Sequence, residues 1–345
     1  MRFIIWSMTL RCLPIKLCDL GHIRGKMNLM TPVIKAMQRA VDVVLTSPHP
    51  DSKVAATLFS GNHHLSMTND WPPIILNTLG TEARIGDSSG TVHAEVNCLI
   101  HAPFPTDGAS LAITDPCCPN CAKCIAEAGI KTVYIDHKGF EKDFAARRGD
   151  EFQSMSLRIL AHAGISLYEV RRKEHLIRTL YTPPDNYVPP EDNPIEIRPC
   201  RIMRLADLSP EILLQTARLV KVKHARWACA VATDGQGKIW TLVASTHPAI
   251  GYTHDHMAAA EGKYDFMLEP VNRILMGAAR AGLTIAKDYL WCSVLPSPRE
   301  MVNAIGAGFR SISIGDDTHA KKSASNEARH ILEISNILDF KSIKL

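Results

Sequence analysis

The 345-residue chain has no long apolar run, little net charge and few aromatic residues. No stretch reaches the roughly 18 consecutive apolar residues that a membrane-spanning helix requires. With 39 basic and 35 acidic residues the net charge is +4, and aromatic residues make up 6% of the chain. These shortages disfavour a membrane protein and a protein that binds nucleic acid, because the latter needs a basic stripe and stacking rings. A small anionic substrate remains compatible with this composition.

The ten cysteines do not have the even spread of a disulfide framework. Four of them, Cys117, Cys118, Cys121 and Cys124, fall within eight residues. In a chain of this length, such clustering indicates metal binding in a reducing compartment. The apolar residues that follow Arg2 are interrupted by Arg11, and no small-residue cleavage site follows them. We therefore expect residues 1–30 to be a poorly ordered extension and the protein to be cytoplasmic.

Two short motifs contain the residues that point to a chemistry. The first is His93-Ala94-Glu95, and the second is the Cys-x-x-Cys pair formed by Cys118 and Cys121. One imidazole and two thiolates fill three corners of a tetrahedral zinc site, and an open fourth corner is typical of a catalytic zinc rather than a structural one. Glu95, beside such a metal, is a carboxylate that can carry protons. The two motifs resemble H-x-E followed by P-C-x-x-C, the signature of zinc nucleobase deaminases.

The pattern of apolar residues and turn signals predicts an α/β fold. Thr31-Pro32 predicts a helix start, and short strands are predicted at 54–59, 65–68, 111–114, 132–135 and 165–170. Helices are predicted from His93 to before Pro103, from Pro119 to Gly129 and over about 151–163, while 69–90 reads as a loop. Strands alternating with helices imply a layered α/β sheet.

The chain also contains signs of an internal duplication. The segment 124–135 can be laid without gaps on 303–314, and Ser209-Pro210-Glu211 repeats the helix start at Thr31-Pro32. Six prolines between Pro183 and Pro199 indicate an extended linker. We therefore expect a catalytic domain at 31–172, a Pro-rich linker at 173–208 and a second domain at 209–345.

The second copy lacks every residue of the two motifs. In this register Cys118 falls opposite Ser297 and Cys121 opposite Glu300, while His93 meets Leu268 and Glu95 meets Pro270. The second domain is therefore expected to keep the fold without a catalytic zinc.

The first copy resembles the cytidine and deoxycytidylate deaminase superfamily, and within it the deoxycytidylate (dCMP) deaminase branch. The segments that carry the resemblance are 93–97, 118–123, 128–134 and Asn69-Asp70-Trp71-Pro72. It implies two tandem cytidine-deaminase-like α/β/α domains, each with a mixed sheet of about five strands flanked by helices. It also implies hydrolytic deamination of cytosine, with Zn²⁺ bound by His93, Cys118 and Cys121, with Glu95 moving protons to N3 and the leaving amine, and with Asn69 contacting the substrate.

One position departs from the family pattern. The family's proline directly precedes its first zinc cysteine, whereas Pro116 here precedes Cys117. We assign Cys118 as the ligand because it keeps the two-residue spacing to Cys121, which leaves Cys117 as a small buried residue.

The sequence leaves several alternatives open. The first hypothesis is a deaminase of a free pyrimidine nucleotide, with dCMP as the first substrate to test. A nucleoside, a free base or a nucleic-acid base is the second. A non-catalytic zinc-binding assembly module is the third. We also expect the two domains to pack together as an intramolecular pseudo-dimer, and further homo-oligomerisation stays open.

Overall fold

The computed structural model describes residues 27–82, 84–141, 150–201, 204–207, 226–253, 265–316 and 323–343. The elements of the first half are α1 (Met27–Val43), β1 (Ala55–Ser60), β2 (His63–Thr68), α2 (Pro73–Leu79), α3 (Ala94–Ile100), β3 (Ser110–Ile113), α4 (Pro119–Glu127), β4 (Thr132–Asp136), α5 (His137–Phe140), α6 (Asp150–His162), β5 (Ser166–Arg171) and β6 (Leu176–Tyr181). Those of the second half are β7 (Glu196–Pro199), β8 (Trp227–Thr233), β9 (Ile239–Ser245), β10 (His247–Pro248), β11 (Met267–Leu268), α7 (Pro270–Ala281), β12 (Thr284–Val294), α8 (Pro298–Gly306), β13 (Ser311–Asp316), α9 (Ala324–Ile334) and β14 (Asp339–Ser342).

The first half is built on a six-stranded mixed sheet in the order β2-β1-β3-β4-β5-β6. Strands β3, β4 and β5 run parallel to one another, and the other pairs are antiparallel. Side chains alternate between the two faces. Leu111 and Val133 pack into the main core with Ile125 of α4, whereas Ala112 packs on the opposite face against Met37 of α1. Helices therefore cover both faces of this sheet.

The second half has a six-stranded sheet in the order β14-β13-β12-β8-β9-β7. Five of its strands repeat the first sheet in order and direction, with β9, β8, β12, β13 and β14 in the places of β2, β1, β3, β4 and β5. The sixth strand differs, because β6 extends one edge of the first sheet and β7 extends the opposite edge of the second. The predicted α/β fold class with two mixed sheets is confirmed, with six strands in each sheet rather than about five.

Most predicted elements of the first half appear near their expected positions, and three regions differ. Helix α1 begins at Met27 rather than at Thr31, so that Pro32 lies inside it. The expected loop at 69–90 contains α2, which Pro73 begins because a helix start does not need the missing N–H. Strands β6 and β7 lie within the stretch expected to be a linker, and only 182–195 between them has no regular structure. The expected helix start at Ser209-Pro210-Glu211 and residues 1–26 lie outside the described residues.

The two halves pack through their helices, with α3 and α4 of the first against α7 and α8 of the second. One hydrophobic core runs through both halves. Between the halves the Arg273 guanidinium of α7 donates from Nε to Glu127 of α4 at 3.0 Å. Arg273 also donates to the carbonyl oxygens of Ser245 at 2.9 Å and Asn193 at 2.6 Å. Both charged side chains of the pair are buried, with 2% and 3% of their surface exposed.

Among the described residues, no helix has the length and apolar character needed to cross a bilayer.

Candidate metal centre and active-site cleft

His93 is placed at the N-terminus of α3 by a short antiparallel bridge. Asp70 and Val92 exchange backbone hydrogen bonds of 3.0 and 2.8 Å immediately before the helix. His93 is the N-cap residue, with the extended angles φ −70° and ψ 149°, and its carbonyl accepts the first helical bond from Asn97. Its side chain therefore lies at the end of the helix rather than along one of its faces.

Cys118 has the same position on α4. It is the N-cap residue at φ −78° and ψ 161°, Pro119 follows as the first helical residue, and its Sγ accepts a hydrogen bond from the Cys121 amide at 3.4 Å. A helix N-terminus favours negative charge, which suits a thiolate at this position.

The two helix starts bring the three predicted metal ligands together. His93 Nδ1 lies 3.2 Å from Cys121 Sγ and 3.5 Å from Cys118 Sγ. All three ligand atoms lie within 4.8 Å of one another. A tetrahedral zinc with ordinary Zn–N and Zn–S bonds would separate a nitrogen and a sulfur ligand by about 3.6 Å. The observed spacing therefore fits a zinc ion with small adjustments. Among the described residues, no other group of three such side chains is as close.

The two cysteine thiols of this group have pKa values shifted in opposite directions. A hydrogen bond from the Cys121 thiol, with the nearby His93 ring, holds the pKa of Cys118 well below its usual range. The pKa of Cys121 is raised, because its thiol donates a hydrogen bond to the Cys118 sulfur and is buried. Burial also raises the pKa of Cys117, which is not a member of the group. The geometry thus favours Cys118 over Cys117 as the metal ligand.

Glu95 lies in the first turn of α3 and is buried beside the metal ligands. Burial raises the pKa of its carboxyl to about 7, while the His93 ring opposes the shift and Cys118 adds to it. A pocket of about 160 Å³ is lined by Glu95, His93, Cys118, Asn69 and other residues. This volume is well above that of a single water, so a small ring can enter. The carboxyl group is thus placed where a ligand in the pocket would meet it.

Asn69 lines the same inner pocket, but its side chain also holds the neighbouring loop. Its Oδ1 accepts hydrogen bonds from the Val54 amide and the Ser47 hydroxyl, both at 2.9 Å. Its Nδ2 donates to the Ser52 carbonyl at 2.8 Å. Of the described contacts, only one Nδ2 hydrogen is used, so a second remains for a ligand.

A larger cleft of about 940 Å³ adjoins the inner pocket, and both are lined by His49, Ser89, His93 and Cys118. Its far wall belongs to the second half and includes Arg226, Glu269, Ser297 and Arg299. Sequence reasoning missed this wall, since residues from two distant segments meet only when the halves pack. Lys123 of α4 also lines this cleft. It is buried and donates to the Asp265 carbonyl at 3.0 Å.

The second half replaces the metal ligands with a network of oxygens. Ser297 is the N-cap of α8 as Cys118 is of α4, and Glu300 stands where Cys121 does. The N-cap of α7 is Glu269, so the helix starts align His93 with Glu269 and Glu95 with Val271. This is one residue later than the Leu268 and Pro270 expected from sequence. The expected register was set by matching residue types, whereas in the structure the two helix starts set it.

Glu300 joins the two helix starts that a metal would otherwise link. Its carboxylate accepts from the Val271 amide at 2.8 Å and the Ser297 amide at 2.9 Å. Arg226 approaches it to 3.5 Å, and the Ser297 hydroxyl donates to Glu269. Burial, together with the Glu269 charge, raises the pKa of Glu300 to about 8.

Comparisons with known proteins agree with this geometry. Residues 30–137 match the family model for the cytidine and deoxycytidylate deaminase zinc-binding region. The chain is 30% identical over 122 residues to the "Uncharacterized deaminase in luxG 3'region" of Aliivibrio fischeri, an alignment that spans 35% of this chain and 81% of that protein. It is 47% identical over 47 residues to ComE operon protein 2 of Bacillus subtilis, which spans 13% of this chain and 25% of that protein.

Two solved structures are also similar to part of the chain. The dCMP deaminase of the cyanophage S-TIM5, in complex with dCMP and dUMP, aligns with a TM-score of 0.30 and 20% identity over 43% of this chain and 100% of that one. RibD of Acinetobacter baumannii aligns with a TM-score of 0.27 and 18% identity over 43% of this chain and 36% of that one. With its matching zinc-binding region and a deaminase relative matched over most of that relative's length, the chain belongs to the cytidine and deoxycytidylate deaminase family.

Proposed function

We propose that the protein is a zinc-dependent hydrolase that deaminates a cytosine-containing pyrimidine nucleotide, with dCMP giving dUMP and ammonia as the first reaction to test. The observation that carries the proposal is the convergence of His93, Cys118 and Cys121 with the buried carboxyl of Glu95 in one pocket. A structural zinc site would need a fourth protein ligand and no such carboxyl.

The roles of the residues follow from their positions. His93, Cys118 and Cys121 would hold the zinc, whose Lewis acidity makes water a usable nucleophile near neutral pH. Glu95 would transfer both protons of the attacking water in turn, the first to N3 of the ring and the second, taken from the new hydroxyl on C4, to the departing amine, so that ammonia leaves C4. Burial favours this cycle, because a carboxyl whose pKa is about 7 both accepts and releases protons near neutral pH.

Asn69 and the second half have supporting roles in this proposal. Asn69 would offer its remaining amide hydrogen to the substrate while its other contacts keep the loop around Ser52 in place. The second half would be a deaminase-like copy without a zinc site, in which Glu300 and Glu269 occupy the places of ligands. It would act as a built-in partner that closes the cleft over the metal centre.

Ammonia release from a panel of dCMP, CMP, cytidine, deoxycytidine and cytosine tests the proposal. We expect Glu95→Gln to keep its zinc and to lose at least about 100-fold in rate, the range of a general acid–base group. Glu300→Gln is the matched control, because it removes a buried carboxyl of the second half and should leave the rate largely unchanged. A zinc-loaded wild-type protein that releases no ammonia from any of the five compounds would instead favour a non-catalytic zinc-binding module. An active Glu95→Gln enzyme would refute the role given to Glu95.

A further inference from the structure

The wall that the second half adds to the active-site cleft contains a cation whose role the metal centre does not explain. Four basic side chains line the cleft, namely Arg84, Lys123, Arg226 and Arg299. Two of them have carboxylate partners: Lys123 lies 3.4 Å from Asp265, and Arg226 lies within 3.6 Å of Glu269 and Glu300. Within the described part of the chain, Arg84 and Arg299 have no carboxylate within 4 Å. Their charges are therefore available to a ligand.

Arg299 is the better placed of the two. It is half-buried in the first turn of α8, whereas Arg84 is exposed and donates to the Asp87 carbonyl of its own loop. Nη1 of Arg299 crosses between the halves and donates to the Thr91 carbonyl at 2.6 Å. Thr91 itself lines the inner pocket that contains Glu95 and Asn69. The charge of Arg299 also reaches α4, where it lowers the pKa of Cys124 against the larger effect of burial.

This anchoring suits the recognition of an anion. A guanidinium group has five N–H donors in a rigid plane, and a single bond to Thr91 fixes the plane while leaving donors for a ligand. Such a planar fork binds phosphate oxygens in pairs. A pyrimidine ring in the inner pocket would point the rest of a nucleotide outward into the 940 Å³ cleft. The phosphate of that nucleotide would then lie at the wall from which Arg299 projects.

We propose that Arg299, supplied by the second half, binds the phosphate of the substrate and so makes the enzyme selective for nucleotides over nucleosides. This inference rests on the proposed function in assuming that the ring occupies the inner pocket. It assigns the second half a direct part in substrate recognition in addition to packing.

Binding of dUMP and of deoxyuridine tests the inference without turnover, because both carry the product ring and only dUMP carries a phosphate. Titration calorimetry on the zinc-loaded full chain would compare wild type, Arg299→Gln and Arg299→Lys. We expect Arg299→Gln to weaken dUMP binding about 10- to 100-fold, since it removes charge-assisted hydrogen bonds, and to change deoxyuridine binding less than about threefold. The dUMP affinity of Arg299→Lys should lie between those of wild type and Arg299→Gln, because lysine keeps the charge but lacks the planar guanidinium.

The matched control is Arg280→Gln, which removes another arginine that joins the halves. Arg280 pairs with Asp107 at 3.0 Å and does not line the cleft. The Arg280→Gln variant should therefore bind dUMP as tightly as wild type. Equal weakening of dUMP and deoxyuridine by Arg299→Gln would show that Arg299 acts only through Thr91 and would overturn the inference. Unchanged dUMP binding, or no dUMP binding by wild type, would do the same.

The ammonia assay distinguishes a failure of this inference from a failure of the proposed function. Ammonia release from dCMP with no dependence of dUMP binding on Arg299 would retain the deaminase and reject the phosphate contact. Arg299-dependent dUMP binding without ammonia release would retain the phosphate contact and reject the deaminase.

Discussion

The buried ion pair between Arg273 and Glu127 should be essential to the packing of the two halves. Replacing Arg273 by Met keeps the apolar stem and removes the guanidinium. The change leaves the Glu127 carboxylate buried without its 3.0 Å partner. It also removes the donor from the carbonyl oxygens of Ser245 and Asn193.

We expect Arg273→Met to lower the free energy of unfolding at pH 7 by about 3–5 kcal/mol, the usual effect of breaking a buried pair from one side. The loss should shrink towards pH 5. Burial already raises the pKa of Glu127, with Arg273 opposing the shift, so without Arg273 the carboxyl takes up a proton at a higher pH and no longer needs a cation. The double variant Glu127→Gln/Arg273→Met should recover part of the loss, because no uncompensated charge remains.

Urea unfolding followed by tryptophan fluorescence measures these changes, since Trp71 lies in the first half and Trp227 and Trp291 in the second. Arg280→Met is the control, because its pair with Asp107 is 39% and 56% exposed and should contribute no more than about 1 kcal/mol. The reasoning is refuted if Arg273→Met lies within 1 kcal/mol of wild type. The reasoning is equally refuted if the double variant loses as much stability as the single variants Glu127→Gln and Arg273→Met lose together.

Three further predictions concern the site and its counterpart. Cys118→Ser should lose zinc and Cys117→Ser should keep it, as measured by metal analysis of the purified proteins; loss of zinc only from Cys117→Ser would reverse the assignment. Glu300 has a folded-state pKa raised from 4.5 to about 8, so its contribution to stability is full below about pH 4.5 and is lost as the pH rises through 8. Unfolding of Glu300→Gln should therefore depend less on pH over that window than unfolding of wild type, and an unchanged slope would contradict the assignment. Asn69→Ala should destabilise the fold by about 1–3 kcal/mol in urea unfolding, because it leaves the Val54 amide without its acceptor and the Ser52 carbonyl without its donor; a neutral effect would show that Asn69 does not hold the loop.

The sequence by itself determined the features that depend on local spacing. Pro119 and the turn before α4 fix where that helix begins, so Cys118 and Cys121 must lie at its first turn. Short apolar runs bounded by turn residues likewise determined the strands, and the alternation of strands with helices determined the α/β class. The match between 124–135 and 303–314 was also visible, and α4 and α8 begin 179 residues apart, as do β4 and β13.

Only the tertiary structure decided which of these residues meet. His93 and Cys121 are 28 residues apart, and their 3.2 Å separation depends on how α3 and α4 pack against one sheet. The register of the second copy around Glu269 could not be read from sequence, because no residue type there repeats the His-x-Glu motif. Arg299, 208 residues from Thr91, reaches the active-site cleft through the packing of two halves. Such long-range contacts are determined by the fit of buried surfaces, and no local pattern in the chain encodes that fit.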